Sequence, residues 1–261
     1  NVTGVITRSS NVGAAKVAAK LPDQTFYDSI RSFGYGSVPH SGFPGESGGV
    51  VLRPARWSGT SKTTMSYGYG LNVTPLQIAT AYSALANGGK LIAPTFVKGQ
   101  RNEGKQIIDP AVAKEVVAMM ETVVTQGGAK QAAVLGYHVA GKTGTARKAG
   151  PGGYERGHYN SLFAGVVPAT NPRFATVIVI NDPQGGKFYG GLVSAPVYHN
   201  VMEGTLRLMD VPLDDLQSWL AAQQSGKMGH SASILPAPPA ETALPADAAA
   251  EFDAALPSAQ N

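Results

Sequence analysis

Three strand-like runs follow one another between residues 134 and 181, and they restrict the fold more than any other feature of the chain. The runs read VLGYHVAGKTGTAR, SLFAGVVPA and RFATVIVIN. A short polar turn bounded by Pro168 and Pro172 joins the last two, which predicts an antiparallel hairpin. Because no helix pattern separates these strands, an alternating βαβ arrangement is excluded. We predict an α+β fold in which helices flank an antiparallel sheet.

Helix patterns lie on both sides of the strand region. Thr74 and Asp109 each precede a proline and a long apolar-periodic run, which is typical of an N-cap followed by the first helical turn. Further helices are predicted over 10–20, 23–33 and 194–209. The stripes expected to face the core are Ile78, Tyr82 and Leu85; Val112, Val116, Met119 and Val123; and Val197, Val201 and Leu208.

The composition changes near residue 218, where Ala, Pro, Ser and Gln become dominant. The segment ILPAPPAETALPADAAAEFDAALPSAQN has no period that could bury one face. We therefore predict a folded domain over 1–217 and a disordered Ala/Pro-rich tail over 218–261.

Charge, cysteine content and histidine spacing exclude several classes of function. Residues 221–261 carry one Lys and four acids, so the preceding body has 20 basic and 13 acidic residues and a net charge of +7. These basic residues form no stripe with aromatics, so no nucleic-acid partner is expected. The absence of cysteine excludes thiol catalysis, and the five histidines show no ligand spacing. We expect neither a metal nor another cofactor.

The stretch GYHVAGKTGTAR at 136–147 admits two readings of Lys142. Its first eight residues match the phosphate-binding loop G-x-x-x-x-G-K-[ST], and VIVIND at 177–182 resembles the Mg²⁺-binding strand of nucleotide hydrolases. Its second half contains K-T-G, which occurs in β-lactamases and penicillin-binding proteins.

The residues after Thr143 argue against a nucleotide site. A phosphate loop requires a helix to begin there, but residues 144–157 contain five glycines and a proline. At about 1 kcal/mol for each glycine and about 3 for proline, such a helix is roughly 8 kcal/mol worse than an alanine helix. We therefore interpret 139–147 as an edge strand beside a cleft, with Thr143, Thr145 and Arg147 on one face. Two hydroxyls and a guanidinium in line suit the capture of a carboxylate.

A second motif, near the start of the chain, makes the K-T-G match more specific. Ser9-x-Asn11 stands just ahead of a predicted helix, and KTGTAR follows about 130 residues later. Together with SYGYGLNVTPLQIATAYSALANGG, VIVIND and FYGGLVSAPVYHNVM, these motifs resemble the transpeptidase domain of class B penicillin-binding proteins. The resemblance covers residues 1 to about 212 and is closest to the cell-division type. It implies a β-lactamase/transpeptidase-like fold.

The resemblance also implies serine acyl transfer on peptidoglycan stem peptides that end in D-Ala-D-Ala, with β-lactam antibiotics as mimics of that end. Ser9 would relay a proton, Asn11 would hold the substrate amide, and Lys142 would supply positive potential. Thr143 and Thr145 would bind the terminal carboxylate beside Gly144, and the Thr145 N–H would form half of an oxyanion hole.

Four aromatic residues are further candidates for substrate contacts. Tyr154 and Tyr159 flank a glycine-rich loop, 148–158, which we expect to be mobile. Phe188 and Tyr189 precede two glycines and are candidates for an aromatic wall beside the cleft.

The family's nucleophile motif, S-x-x-K, is missing from these residues, since none of the twelve lysines has a serine three positions earlier. We therefore expect a partial domain whose nucleophilic serine, pedestal and membrane anchor lie upstream. The resemblance implies a bacterial inner-membrane protein with its catalytic domain in the periplasm and with division proteins as partners. A serine β-lactamase and a non-enzymatic penicillin-sensing domain remain the alternatives.

Overall fold

The structure is a computed structural model that describes residues 1–150 and 153–225. Within these residues the helices are α1 (Val2–Thr7), α2 (Asn11–Ala18), α3 (Asp23–Ser32), α4 (Ser61–Met65), α5 (Pro75–Ala86), α6 (Pro110–Thr125), α7 (Gly190–Leu208) and α8 (Leu216–Gln224). The strands are β1 (Val50–Val51), β2 (Leu71–Asn72), β3 (Lys90–Ile92), β4 (Gly104–Gln106), β5 (Ala140–Gly150), β6 (Gly153–Val167) and β7 (Phe174–Asn181).

The main sheet confirms the predicted α+β class. Its strand order is β5-β6-β7, both pairs are antiparallel, and β5 occupies an edge. Thr145 lies opposite Ser161, which in turn lies opposite Ile180 on β7. No helix follows Lys142, so the strand interpretation of the K-T-G stretch holds and the phosphate-loop reading is wrong.

The core lies where α6 and α7 pack against this sheet. Phe163 of β6 and Tyr198 of α7 are fully buried, and their ring centroids are 4.7 Å apart in an edge-to-face contact. Met202 and Leu206 continue the same cluster along α7, and Val123 joins it from α6. This packing covers one face of the sheet and holds β5 in place from that side.

The predicted apolar stripe of α7 is wrong by about one residue, and that of α6 is right only in part. In α6 Val123 is buried as predicted and Val116 is half-buried against the core, whereas Val112 is 48% exposed and the buried residues also include Val117 and Met120. In α7 Leu208 is 84% exposed, and Val197 and Val201 are also exposed; the buried residues are Gly190, Gly191, Ser194, Ala195, Tyr198, Met202 and Leu206. Apolar residues occur here as adjacent pairs, so the 3.6-residue period fits either member. On α5 the predicted stripe is half-buried, and Ala81 and Ala84 lie deepest.

The glycine-rich segment 148–158 is not the loop that we expected. β5 extends to Gly150 and β6 begins at Gly153, with Ala149 opposite Tyr154. Between the pairs Arg147–Tyr159 and Ala149–Tyr154, β5 advances by two residues and β6 by five, so β6 takes up three extra residues. An irregularity of this kind lets a strand bend without ending. The hairpin therefore continues the sheet beyond the K-T-G residues.

The chain also remains ordered into the region predicted to be a disordered tail. Residues 218–224 belong to α8, so the predicted disorder is wrong for them; residues 226–261 lie outside the described part of the chain. Trp219 and Leu213 pack over Gly136, where an added Cβ would lie 2.7 Å from Leu213 Cδ2. This contact packs α8 against the folded domain, and its Ala and Gln residues favour a helix.

In the part of the chain that the structure describes, no helix has the length and apolar character needed to cross a membrane. The same residues contain no group of three or more His, Asp or Glu side chains that is arranged to hold a metal ion.

Candidate active site

Ser9, near the start of the chain, and Lys142, near its middle, are two of the predicted catalytic residues, and their side chains meet directly. Lys142 Nζ donates a 2.6 Å hydrogen bond to Ser9 Oγ, although the residues are 133 positions apart. A second hydrogen bond, 3.0 Å long, runs from the same Nζ to the Thr143 carbonyl oxygen. Burial lowers the pKa of Lys142 to about 8, because desolvation disfavours the ammonium form. The lysine is therefore partly neutral near neutral-to-alkaline pH.

The turn between α1 and α2 presents Ser9 to this lysine. Ser9 has a φ of 55°, in the left-handed region that only a tightly held turn imposes on a serine. The adjacent Ser10 is the N-cap of α2, and its Oγ accepts a hydrogen bond from Gly13 N at 3.1 Å. The two serines thus have different roles: Ser10 caps the helix, and the Ser9 side chain contacts Lys142.

Asn11 is the first residue of α2, immediately after this turn. Among the described residues its side chain is half-buried and has no hydrogen-bond partner. The amide is therefore available to a ligand.

Thr145 is held by the start of α7. Gly190 N donates to Thr145 Oγ1 at 3.1 Å. A hydroxyl has one proton and can accept two hydrogen bonds, so the Thr145 O–H proton is still available to an anion. Gly190 must be glycine, since an added Cβ would lie 2.3 Å from the Leu162 carbonyl oxygen and 2.7 Å from that of Gly144.

The free edge of β5 carries backbone donors toward the cleft. Arg147 N donates to the Tyr69 hydroxyl at 3.2 Å, so this N–H points away from β6. Alternate residues of an antiparallel edge strand direct their N–H groups to the same side, and the ladder is regular from Lys142 to Arg147. The N–H of Thr145 therefore points outward as well, where it can bind a developing oxyanion.

The candidate aromatics form two contact groups. Tyr159 and Phe188 stack with centroids 4.0 Å apart, and Phe188 also contacts Tyr189 at 4.5 Å. Tyr154 contacts Tyr69 edge-to-face at 5.1 Å. Phe188 and Tyr189 therefore belong to one group of contacting rings, and their role as a wall beside the cleft stays a prediction.

Sequence reasoning missed Tyr69, Gly190 and the glycine turn at Gly127. Tyr69 lies within the SYGYG stretch that carried the resemblance, but no local pattern shows that its hydroxyl reaches Arg147. An added Cβ at Gly127 would lie 2.6 Å from the Thr7 carbonyl oxygen, just ahead of Ser9. These are contacts between distant segments, so only the fold reveals them.

Comparison with known families identifies the domain. Residues 1–203 match the family model described as the penicillin binding protein transpeptidase domain. The chain belongs to the penicillin-binding protein transpeptidase family. The resemblance stated from the motifs is thereby confirmed.

Named relatives of this transpeptidase chain are peptidoglycan D,D-transpeptidases. It is 43% identical over 237 residues to the Escherichia coli K12 peptidoglycan D,D-transpeptidase FtsI, which covers 88% of this chain and 40% of that protein. It is 40% identical over 218 residues to a probable peptidoglycan D,D-transpeptidase, PbpC, of Pseudomonas aeruginosa, covering 83% of this chain and 39% of the relative. The chain thus spans about two-fifths of the length of these curated relatives.

Solved structures agree with the fold of this penicillin-binding protein chain. The transpeptidase domain of penicillin-binding protein 3 from Burkholderia pseudomallei is similar with a TM-score of 0.76 and 38% identity, over 82% of this chain and 66% of that one. Penicillin-binding protein 3 of Mycobacterium tuberculosis, complexed with aztreonam, gives a TM-score of 0.75 and 32% identity, over 81% of this chain and 52% of that one.

Proposed function

We propose that this chain carries the substrate-binding half of a serine D,D-transpeptidase that cross-links peptidoglycan. The observation that carries the proposal is the 2.6 Å hydrogen bond from Lys142 Nζ to Ser9 Oγ. It joins the S-x-N and K-T-G residues beside an edge strand whose outward donors are suited to an acyl group. The names of the relatives support the same activity.

In the proposed reaction, a serine Oγ attacks the carbonyl carbon between the two terminal D-alanines of a stem peptide. The C–N bond breaks, D-alanine leaves with an added proton, and the stem remains as an ester on the serine. An amine of a neighbouring stem then attacks the ester, forms the cross-linking amide and releases the serine. Both steps pass through a tetrahedral oxyanion.

The described residues have defined roles in this reaction. Ser9 passes a proton toward the leaving nitrogen, and the Lys142 ammonium stabilises the negative charge beside it. Asn11 holds the amide of the stem. The Thr145 N–H contributes to the oxyanion hole, where loss of one donor costs about 100- to 1000-fold in rate.

The carboxylate end of the stem is assigned to β5. Thr143 and the remaining O–H proton of Thr145 donate to the terminal carboxylate, and Arg147 adds positive charge further along the strand. Tyr159, Phe188 and Tyr189 line the neighbouring wall. The same contacts serve the carboxylate of a β-lactam.

We place the nucleophilic serine in an S-x-x-K motif upstream of these residues, because none of the twelve lysines here has a serine three positions before it. A division role, division-protein partners, an N-terminal anchor in the bacterial inner membrane and a periplasmic catalytic domain are part of the same proposal. They are supported by the similarity to FtsI.

A penicillin-hydrolysing enzyme is the second candidate, and the structure gives it little support. Class A β-lactamases use a glutamate to activate the hydrolytic water. Glu46 lies in a glycine-rich loop, where it accepts a 2.9 Å hydrogen bond from Ser41 N and a further one from the Ser41 hydroxyl. These bonds lower the pKa of Glu46, with the Ser41 hydroxyl as the main cause. Glu46 therefore stabilises its own loop through hydrogen bonds from Ser41.

The test uses the complete protein that contains this segment. Incubation with a labelled penicillin should give a stable adduct, and a D-Ala-D-Ala stem peptide with an acceptor amine should give amide product and free D-alanine. The Ser9→Ala variant should reduce both rates. Rapid turnover of a chromogenic cephalosporin without amide product would instead indicate a β-lactamase, and binding without any D-alanine release would indicate a sensor.

A further inference from the structure

A second concave site lies beside the far end of the edge strand, beyond Arg147. It is a pocket of about 90 Å³ whose lining includes Ser58, Ser61, Thr64, Tyr67, Tyr69 and Tyr154. Water occupies about 30 Å³ per molecule in the liquid. The pocket therefore suits one substituent of a larger ligand, about the size of three waters.

Three tyrosines from two segments of the chain form the aromatic part of this pocket. Tyr67 and Tyr69 lie 6.2 Å apart, and Tyr154 of β6 meets Tyr69 at an interplanar angle of 89°. The Tyr69 hydroxyl accepts the hydrogen bond from Arg147 N, which ties the group to β5. Burial raises the pKa of Tyr69, so its phenol stays neutral. The aromatic surface is therefore uncharged and fixed relative to the cleft.

Short hydroxyl side chains supply the polar part. Ser58 Oγ and Ser61 Oγ are 3.0 Å apart, and Thr64 Oγ1 donates to the Ser61 carbonyl oxygen at 3.0 Å. Each hydroxyl has two acceptor sites and one proton, so capacity remains for a ligand. None of the described residues that line this pocket carries a charge. A charged group would lose its hydration there without gaining a partner, so the pocket favours a neutral ligand rich in hydroxyl or amide groups.

The position of the pocket fits the length of a stem peptide. Thr145 and Ala149 are four residues apart on β5, which is about 13 Å at the rise of a β-strand, and Ala149 lies opposite Tyr154 of the pocket. A peptide of about four extended residues spans roughly 13 Å. A stem that has its D-Ala-D-Ala end at Thr145 and runs along β5 toward Arg147 would bring its sugar-linked end to this region.

We propose that the pocket is a glycan subsite, which binds the acetamido or hydroxyl groups of an N-acetylhexosamine joined to the stem peptide. The inference rests on the proposed function, since it assigns the pocket to the same substrate. Charged stem side chains are excluded by the uncharged lining, whereas a sugar presents a flat apolar face to tyrosine and hydroxyls to serine and threonine.

The test compares two donors with the complete protein: a free stem pentapeptide and the same pentapeptide joined to its disaccharide. We expect the wild type to show a kcat/KM about tenfold higher for the disaccharide-linked donor. Ser58→Leu, which places an apolar side chain at the exposed rim of the pocket, should abolish this preference. It should leave the rate of acylation by penicillin and the kcat/KM of the free pentapeptide unchanged. Thr63→Leu, an exposed position that does not line this pocket, should retain the preference.

A binding experiment separates failure of this inference from failure of the proposed function. Saturation-transfer NMR with the disaccharide alone should show contact with the wild type and loss of contact in Ser58→Leu, whether or not the protein transfers acyl groups. The inference is overturned if the wild type has no donor preference, or if both variants keep it equally. A wild type that binds the disaccharide but forms no penicillin adduct would refute the proposed function alone.

Discussion

At the scale of single residues, the pair Ser9–Lys142 combines a strained turn with a desolvated lysine. The left-handed conformation of Ser9 and the burial of Lys142 each carry an energetic cost. Such costs are retained where a site requires a fixed geometry and a tuned proton affinity. The pair therefore fits a site for chemistry better than a structural contact.

The pKa of Lys142 predicts the alkaline side of the pH profile. The protonated form supplies the positive potential, and its fraction falls as pH rises through about 8. The rate constant for penicillin acylation of the complete protein should therefore fall above about pH 8. In Lys142→Arg the profile should stay flat in this range, because a guanidinium keeps its proton above pH 12. A fall at the same pH in the arginine variant would assign the titration to another group.

Ser9 and Ser10 provide a matched pair that separates chemistry from folding. Ser9→Ala removes the hydroxyl bound to Lys142 and should lower the acylation rate about 100-fold or more, with little effect on stability. Ser10→Ala removes the N-cap of α2 and should lower the free energy of unfolding by about 1 kcal/mol, with the acylation rate nearly unchanged. Stopped-flow labelling and thermal unfolding measure the two effects. Equal rate losses in both variants would contradict the assignment.

At the scale of elements, the glycine turn after α6 supports both halves of the site. Gly127 lies against the Thr7 carbonyl, two residues before Ser9. Thr7 Oγ1 and Thr122 Oγ1 are 2.5 Å apart, which seats α1 on α6. On the other side, a Cβ on Gly191 would lie 2.1 Å from the Gly128 carbonyl oxygen, so α7 begins directly against the same turn. One turn therefore sets the positions of Ser9 and, through Gly190, of Thr145.

Alanine substitutions at Gly127 and Gly128 test whether this turn supports the site. An alanine Cβ at Gly127 would lie 2.6 Å from backbone oxygen, whereas at Gly128 it would enter open space. Gly127→Ala should therefore lower the free energy of unfolding by about 1–3 kcal/mol, and it should slow acylation because Ser9 shifts. Gly128→Ala should change stability by no more than about 0.5 kcal/mol. Chemical denaturation and penicillin labelling of the complete protein distinguish them. If Gly127→Ala leaves the acylation rate at the wild-type value, the turn does not position Ser9.

The sequence predicted the elements better than their contacts. Thr74 was predicted as the N-cap of α5, and the structure adds Gln77, whose side chain accepts from Thr74 N and donates to three backbone carbonyls of the 34–48 segment. The T-x-x-Q spacing is a capping-box pattern, so the sequence indicates the contact between Gln77 and Thr74. The three long-range bonds were not, because nothing local in the sequence specifies which loop passes over a helix end.

Ambiguity in the apolar pattern explains the helix faces that were predicted wrongly. Residues 116–117, 119–120 and 123–124 of α6 are all doubled apolar positions. Either member of each pair makes a regular stripe, and the choice depends on which side chains fit the sheet. The K-T-G strand carried no such ambiguity, since its glycines and its neighbours exclude a helix. For that reason the Ser9–Lys142 pair was predicted and the packing behind it was not.

At the scale of the whole molecule, the site is assembled from segments that are distant in sequence. The Ser9 turn rests on α6, and β5 contacts α6, β6 and α7. α6 therefore supports the S-x-N turn and the K-T-G strand at once. Because these contacts are non-local, loss of one supporting segment should affect the whole assembly and not a single side chain.

Substitutions in the segment after α7 test whether these non-local contacts stabilise the whole assembly. Asp214 accepts hydrogen bonds from His138 N at 2.8 Å and from the Thr170 hydroxyl at 2.7 Å, and so joins the C-terminal segment to the residues just before β5. Asp214→Ala leaves both donors without this partner and should lower the free energy of unfolding by about 1–3 kcal/mol. Asp23→Ala removes a carboxylate that is 62% exposed and paired with Lys62, and should cost less than about 1 kcal/mol. Denaturation of the complete protein followed by intrinsic fluorescence gives both values. Equal losses would mean that the C-terminal segment adds no more stability than a surface ion pair.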